Sequence, residues 1–113
     1  GKTTFTRCLI NYIQEKDNLA ITEVLSPTFN LLYEYNLKKY KIMHYDLYRI
    51  NEGKELNHLG IFSEKKRTVR IIEWPDLIKT PLLNKLEIHF DYAKKENERE
   101  IKFKGTGKWK SFK

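Results

Sequence analysis

The spacing of apolar positions predicts one helix at the start of the chain, followed mainly by strands. Phe5, Leu9, Tyr12 and Ile13 recur at helical spacing and predict a helix over Lys2–Lys16. Further along, short runs rich in β-branched and aromatic residues alternate with polar turns, which is typical of strands. The predicted strands cover residues 20–25, 29–35, 40–47, 68–74, 86–92 and 100–104.

The order of these elements indicates an α/β fold. A polar turn over residues 36–39 separates two predicted strands and predicts an antiparallel hairpin. Only short helices are predicted between the later strands, one over residues 52–58 and one turn over residues 75–78 that begins with a proline. We therefore expect a mixed β-sheet with flanking helices, and the length of the chain predicts a single domain over residues 1–113.

Composition indicates a folded protein of the cytoplasm. Apolar residues make up 40% of the chain and aromatic residues 13%, which is enough for a hydrophobic core and too much for a disordered segment. No apolar run is as long as a membrane span, and no signal peptide is visible. The single cysteine, Cys8, cannot form an internal disulfide, which fits a reducing compartment.

The net charge of +7 allows two interpretations. It fits a nucleic-acid partner, but the lysines are spread along the chain among many Asn, Ile and Tyr residues, which is typical of an AT-rich coding bias. The dense basic stretch is residues 102–113, where Phe103, Trp109 and Phe112 interleave with lysines. This stretch either binds an acidic surface or is a frayed end of the chain.

The first four residues, Gly1-Lys2-Thr3-Thr4, match the second half of a phosphate-binding P-loop. The complete pattern is G-x-x-x-x-G-K-[ST], which closes a strand and opens a helix. In that pattern Gly1 lets the backbone approach phosphate oxygens, the Lys2 ammonium meets the β- and γ-phosphates, and the Thr3 hydroxyl ligates Mg²⁺. The helix directs its N–H groups and the positive end of its dipole at the anion.

The first half of this loop is not in the sequence. We expect a buried strand and the remaining loop residues to precede Gly1, so that the 113 residues are a fragment cut inside its own nucleotide site. For these residues alone we expect weak or absent nucleotide hydrolysis, because the rest of the loop would supply several N–H donors to the phosphates.

Three more polar clusters follow predicted strands, which is where an α/β sheet places its ligand crevice. They are Ser26-Pro27-Thr28-Phe29, His44-Tyr45-Asp46-Leu47-Tyr48-Arg49 and Glu73-Trp74. Each is a weak signal alone, because a Ser-Pro-Thr sequence is often only a turn and a lone histidine such as His44 is more often a core residue than a catalyst. Together with the P-loop residues, their order indicates a nucleotide site.

In these clusters the chain resembles the bacterial TsaE family, the ATPase of tRNA threonylcarbamoyladenosine biosynthesis. The shared pattern is G-K-T-T, S-P-T-[FY], H-x-D-x-Y-R, E-L-x-x-x-G and E-W, and its fourth segment is here Glu55-Leu56 with Gly60. The matches run in order from the first residue to Trp74, whereas residues 75–113 fit only loosely. The resemblance implies a P-loop NTPase fold, here lacking the N-terminal strands and the first half of the P-loop.

The resemblance also implies an activity and a set of site residues. It implies Mg²⁺-dependent ATP hydrolysis in partnership with the threonylcarbamoyl transferase TsaD and its companion TsaB, with tRNA reached through that complex. The residues implied to bind the nucleotide are Gly1, Lys2, Thr3, Thr4 and Trp74. By the same resemblance Thr3 and Glu73 would hold the metal. Asp46 would position or activate the attacking water, and Thr28 would sense the γ-phosphate.

These implied roles agree with the chemistry of phosphoryl transfer, which needs a cation on the phosphates, a hard-oxygen metal site and a group that orients water. Lys2 would supply the cation and Asp46 the orienting group. Thr3 with Glu73 would supply the metal site. From the sequence alone, Asp46 and Glu73 can exchange roles. Arg49 either neutralises phosphate or pairs with a structural carboxylate.

Two other classes of function stay open. One is another P-loop enzyme, but a kinase lid rich in arginine is represented only by Arg67 and Arg70. A GTPase would carry an N-K-x-D motif, and Asn84-Lys85 is followed by Leu86-Glu87 instead. The other class is a basic nucleic-acid-binding module without catalysis, which the net charge and residues 102–113 support.

Overall fold

A computed structural model describes residues 2–62, 66–79 and 82–111 of the chain. The predicted nucleotide-binding residue Gly1 and Phe112 of the basic stretch lie outside the described residues. The described residues form two units, one within Gly1–Lys79 and one within Thr80–Lys113, and each is described by itself. The expectation of a single domain stays a prediction.

The first unit begins with a helix and contains three strands. Its elements are α1 (Lys2–Lys16), β1 (Leu32–Asn36), β2 (Lys41–Asp46), α2 (Glu55–His58), β3 (Thr68–Glu73) and a 3₁₀ turn (Pro75–Leu77). The second unit contains β4 (Lys85–Tyr92), β5 (Arg99–Thr106) and a 3₁₀ turn (Gly107–Trp109). No helix in the described ranges is long and apolar enough to cross a membrane.

The three strands of the first unit form one sheet in the order β1-β2-β3. β1 and β2 are antiparallel, as the predicted hairpin requires, with Tyr33 opposite His44. β2 and β3 are parallel, and their register places Asp46 beside Glu73. The predicted α/β class with a mixed sheet and few helices is therefore confirmed.

The central strand β2 separates two apolar clusters because its side chains alternate between the faces of the sheet. On one face Ile42 packs with Ile10 of α1 and with Val24, and all three are almost completely buried. Burying a side chain such as Ile10 contributes about 1.5–3 kcal/mol. The helix therefore lies on the face of β2 that carries Ile42, His44 and Asp46.

The other face of β2 carries the larger cluster. Its buried members are Met43, Tyr45, Leu47, Ile50, Leu56 and Ile61. The Tyr45 hydroxyl donates to the Leu59 carbonyl at 2.9 Å, which satisfies the polar end of a fully buried ring. Burial raises the pKa of Tyr45 above its ordinary value, and a hydrogen bond with Arg70 offsets part of that shift.

Residues 20–25 are not a strand, so that prediction is wrong. The segment runs beside α1 and bonds to its side chains, because Gln14 Nε2 donates to Thr22 Oγ1 at 2.9 Å and Thr22 N–H donates to Gln14 Oε1 at 3.2 Å. Arg7 Nε donates to the Val24 carbonyl at 3.2 Å. These helix side chains form hydrogen bonds with backbone groups that, in a strand, would pair with a neighbouring strand.

The strand predicted to start at residue 29 starts at Leu32 instead. Residues 28–30 form a turn in which the Leu31 N–H donates to the Pro27 carbonyl at 2.6 Å. Leu31 has a positive φ of 67°, which takes the chain out of an extended course just before the strand.

The second unit is a β-hairpin with one apolar and one polar face. Its register pairs Ile88 with Phe103 on one face and Glu87 with Lys104 on the other. Hydrogen bonds from Lys85 at 2.9 Å and from His89 at 3.4 Å lower the pKa of Glu87. Residues 102–106 belong to β5, so this part of the basic stretch is ordered strand and not a frayed end.

Candidate functional site

The two carboxylates predicted for the site lie side by side at the carboxyl end of the sheet. Asp46 is the last residue of β2, Glu73 is the last residue of β3, and the parallel register pairs them. Both are buried, with 4% of Asp46 and 8% of Glu73 exposed. A buried carboxylate needs hydrogen bonds or a cation to offset its lost hydration, so the neighbours of each decide its role.

Glu73 faces the start of α1. The Thr3 hydroxyl lies 3.3 Å from both oxygens of the Glu73 carboxylate, and Thr3 is in the first turn of the 15-residue helix. The first N–H groups of a helix lack partners within it and carry the positive end of its dipole. The end of β3 therefore brings a carboxylate next to the N-terminus of α1.

Glu73 has a second neighbour that sequence reasoning missed. His44 is completely buried, and its Nε2 lies 2.7 Å from Glu73 Oε2. Because side chains alternate along a strand, His44 shares the face of Asp46 two residues later. That alternation was visible in the sequence, but the parallel neighbour that supplies Glu73 was not.

Asp46 is bound through both of its oxygens. The Thr28 hydroxyl donates to Asp46 Oδ2 at 2.8 Å, and the Tyr48 N–H donates to Oδ1 at 3.0 Å. Because Thr28 donates its proton to Asp46, Ser26 Oγ donates to Thr28 Oγ1, 2.8 Å away. These bonds fix the Asp46 carboxylate in one orientation and tie the Ser26-Pro27-Thr28 turn to the end of β2.

Lys2 and Trp74 form the outer rim of the same site. The Lys2 ammonium lies 4.0 Å from the centre of the Trp74 ring, within the range of a cation–π contact. Tyr48 packs against the same ring with 5.0 Å between centroids. Trp74 has a left-handed backbone at φ 57°, a conformation that costs a bulky residue about 1–3 kcal/mol and is concentrated at functional sites.

A surface cavity of about 320 Å³ lies beside this rim. Tyr48, Trp74, Asp76 and Lys79 line it together with apolar residues. This cavity is large enough for part of a small ligand.

The structure thus brings Lys2, Thr3 and Glu73 together. It also bonds Thr28 to Asp46, the residue of β2 that pairs with Glu73 of β3. Thr4 lies in the same turn of α1 with an exposed side chain. The Arg49 guanidinium lies 4.9 Å from the centre of the Phe29 ring. The roles expected for these residues stay predictions.

The oxygen donors suit magnesium more than a transition metal. No group of three His, Cys, Asp or Glu side chains within residues 2–62, 66–79 and 82–111 could enclose a metal ion. Magnesium is usually held by one or two carboxylates together with substrate phosphates and water. The hydroxyl of Thr3 beside the carboxylate of Glu73 is a donor set of that kind.

Comparison with known proteins gives one consistent family. The family described as "Threonylcarbamoyl adenosine biosynthesis protein TsaE" matches residues 1–101. A protein named "tRNA threonylcarbamoyladenosine biosynthesis protein TsaE" from Rickettsia prowazekii (strain Madrid E) is 40% identical over 79 residues, which cover 70% of this chain and 52% of that protein. The protein of the same name from Bacillus subtilis (strain 168) is 34% identical over 109 residues, covering 95% of this chain and 64% of its own length.

A third relative of the same name, from Haemophilus influenzae (strain ATCC 51907 / DSM 11121 / KW20 / Rd), is 38% identical over 77 residues, or 67% of this chain and 46% of that protein. The chain spans about half the length of the curated relatives it matches.

Proposed function

The chain belongs to the TsaE family, and from that premise we propose that it is the Mg²⁺-dependent ATPase subunit of the machinery that makes threonylcarbamoyladenosine in tRNA. TsaE family proteins take part in tRNA threonylcarbamoyladenosine biosynthesis. The step from that process to ATP hydrolysis rests on the site.

The observation that carries the proposal is the contact of Thr3 with Glu73 at the N-terminus of α1, 3.3 Å between hydroxyl and carboxylate oxygens. This contact combines a hard-oxygen pair with an anion-binding helix end. Lys2 precedes Thr3 and adds a cation at the same terminus. Magnesium bound at Thr3 and Glu73 would neutralise charge on the phosphates of ATP.

The contacts also favour one division of labour between the two carboxylates. Thr3 touches Glu73, so Glu73 fits the metal side of the site. Asp46 is bound instead to Thr28, which fits a carboxylate that orients the attacking water beside a residue that senses the γ-phosphate. Because both Asp46 oxygens already accept hydrogen bonds, its orientation is set before substrate binds, which lowers the reorganisation needed during the reaction.

Phosphoryl transfer to water requires little covalent chemistry from the protein, so these residues act by binding and orienting the nucleotide and the attacking water. Lys2 holds the phosphates, and Trp74 lies 4.0 Å from the Lys2 ammonium, next to the cavity described above. We propose that the nucleotide extends from the helix terminus along this rim.

The proposed partners are TsaD and TsaB, and tRNA is reached through them. We propose that this assembly works in the cytoplasm, in agreement with a chain whose single cysteine, Cys8, has no internal partner. ATP hydrolysis would then support repeated cycles of tRNA modification, while the transfer of the threonylcarbamoyl group takes place on a partner protein.

Steady-state phosphate release from ATP tests this function. The complete product of the gene is assayed with and without Mg²⁺ and with and without TsaD and TsaB. We expect Mg²⁺-dependent turnover that Lys2→Met reduces by at least about 100-fold, because a charge that stabilises the transferring phosphoryl group is lost. Lys16→Met is the matched control, because Lys16 is an exposed lysine at the opposite end of the same helix. Equal turnover in the two variants would disprove the assignment of Lys2.

A further inference from the structure

The buried pair of His44 and Glu73 is not explained by packing alone. His44 lies between Ile42 and Asp46 on one face of β2, and its neighbour Ile42 belongs to an apolar cluster. A completely buried imidazole loses its hydration, and a residue chosen only to fill space there would be apolar. The hydrogen bond of 2.7 Å to Glu73 Oε2 is what compensates His44 for burial.

The second ring nitrogen shows which atom carries the proton. His44 Nδ1 is buried and has no hydrogen-bond partner among the described residues. A buried N–H without an acceptor costs about 1–3 kcal/mol, so the proton belongs on Nε2. Nε2–H therefore donates to the Glu73 carboxylate, which also accepts a hydrogen bond from Thr3.

We propose that His44 is a positioning residue that holds the Glu73 carboxylate in the orientation needed to bind Mg²⁺ together with Thr3. The proposal rests on the proposed ATPase function, since it assigns the metal to the same site. Ligating carboxylates are commonly fixed by an outer hydrogen-bond donor, and losing that donor lowers metal affinity by about 10–100-fold.

The burial of His44 indicates that it acts through Glu73 and not directly on the nucleotide. Its ring is enclosed, with 0% of its surface exposed, whereas Glu73 keeps 8% of its surface accessible at the end of β3. Parallel pairing places His44 opposite Ile71, two residues before Glu73, on the face covered by α1. His44 therefore supports Glu73 from inside the protein while Thr3 approaches it from the helix terminus.

Three variants of the complete gene product separate positioning from packing. His44→Leu removes the donor and keeps an apolar side chain of similar size. His44→Gln keeps an N–H at a reach similar to that of Nε2. Gln14→Leu is the matched control, because Gln14 is also a buried side-chain donor, but it bonds to Thr22 and lies near the C-terminal end of α1, away from Thr3.

The main measurement is the Mg²⁺ concentration that half-saturates binding of a fluorescent, non-hydrolysable ATP analogue. We expect His44→Leu to raise this concentration by about 10–100-fold, and His44→Gln to raise it by less than about 10-fold. At saturating Mg²⁺, His44→Leu should recover most of its ATP turnover, because only the metal site is weakened. Gln14→Leu should lower the thermal unfolding temperature and leave the Mg²⁺ dependence unchanged.

Two results would overturn the positioning role. One is a wild-type Mg²⁺ dependence in His44→Leu, and the other is an equal weakening in His44→Leu and His44→Gln. If His44→Leu does not fold, His44→Asn replaces it, because its shorter side chain ends near the place of Nδ1 and cannot reach Glu73. Equal Mg²⁺ dependence of the Asn and Gln variants then refutes the role.

The outcomes also separate this inference from the proposed function. If the wild-type protein binds the ATP analogue with no dependence on Mg²⁺, the proposed function fails and the role of His44 fails with it. If the wild type depends on Mg²⁺ and the His44 variants match it, only the role of His44 fails. A metal-free readout is ¹⁵N NMR of the histidine rings, in which we expect the proton of His44 on Nε2; a proton on Nδ1 would contradict the hydrogen bond to Glu73.

Discussion

Removing the hydroxyl of Thr28 should weaken the protein through one identifiable hydrogen bond. Thr28 Oγ1 donates to Asp46 Oδ2 at 2.8 Å, and Asp46 is only 4% exposed. Thr28→Val keeps the shape of the side chain and leaves this carboxylate oxygen without its donor.

The expected loss follows from the charge and burial of the pair. A hydrogen bond to a charged group contributes about 1.5–3 kcal/mol to stability. Thr28 itself is half-buried, so water can partly replace its hydroxyl and the lower part of this range applies. We expect a loss of about 2 kcal/mol in the free energy of unfolding, which changes the ratio of folded to unfolded protein by a factor of about 30.

A double-mutant cycle isolates the bond. Urea unfolding of the wild type, Thr28→Val, Asp46→Ala and the double variant gives the coupling energy, which should be about 1–2 kcal/mol. Thr28→Val combined with Gln14→Leu is the control pair, because Gln14 shares no hydrogen-bond partner with Thr28, and its effects should add within about 0.5 kcal/mol. A coupling of Thr28 to Asp46 no larger than that of the control pair would refute the reasoning.

Three further predictions concern the core, the backbone and the charge of the hairpin. Ile10→Ala should cost about 2–5 kcal/mol in urea unfolding because it opens a cavity against β2, whereas Leu9→Ala, at a position 38% exposed, should cost less than about 1 kcal/mol; equal losses would contradict the packing. Gly107→Ala should destabilise by more than about 1 kcal/mol, because φ is +61° and the new methyl group would meet a backbone carbonyl, while Gly53→Ala, which meets nothing within 4 Å, should be neutral or slightly stabilising. The lowered pKa of Glu87 stabilises the hairpin above the ordinary carboxyl value of 4.5, and this small, salt-screened contribution is lost as the pH falls through the lowered value. The urea midpoints of wild type and Glu87→Gln should therefore differ at neutral pH and converge at acidic pH. A difference between the two proteins that grows in acid would contradict the stabilising effect assigned to Glu87.

The elements that depend on local pattern were predictable from the sequence. The helix over Lys2–Lys16 follows from apolar spacing, and the hairpin of β1 and β2 follows from two alternating runs around a polar turn. The run over residues 20–25 was misjudged because its β-branched residues look the same beside a helix as in a sheet. Its actual place is set by the distant side chains of Arg7 and Gln14.

The position of the site was predictable to the extent that each of its polar residues follows an apolar run in the sequence. Asp46 and Glu73 were expected at one end of the sheet, and the parallel register places them there. The contact of His44 with Glu73 was not predictable, because it depends on which strand pairs with β2 and in which register. The two residues are separated by 29 positions in the sequence, and nothing in the sequence around either residue identifies the other as its partner.

The parallel register of β2 and β3 also bears on how this gene can change length during evolution. Inserting one codon within either strand would turn every later side chain of that strand to the opposite face, so Asp46 or Glu73 would leave the face of α1 for the larger apolar cluster. The connection between the two strands carries no such restriction, because parallel strands joined by a long crossover keep their pairing when the crossover grows, at a small entropic cost. Insertions and deletions should therefore be tolerated best in this connection, away from its buried residues Leu47, Ile50, Leu56 and Ile61, while the strands themselves keep a constant number of residues.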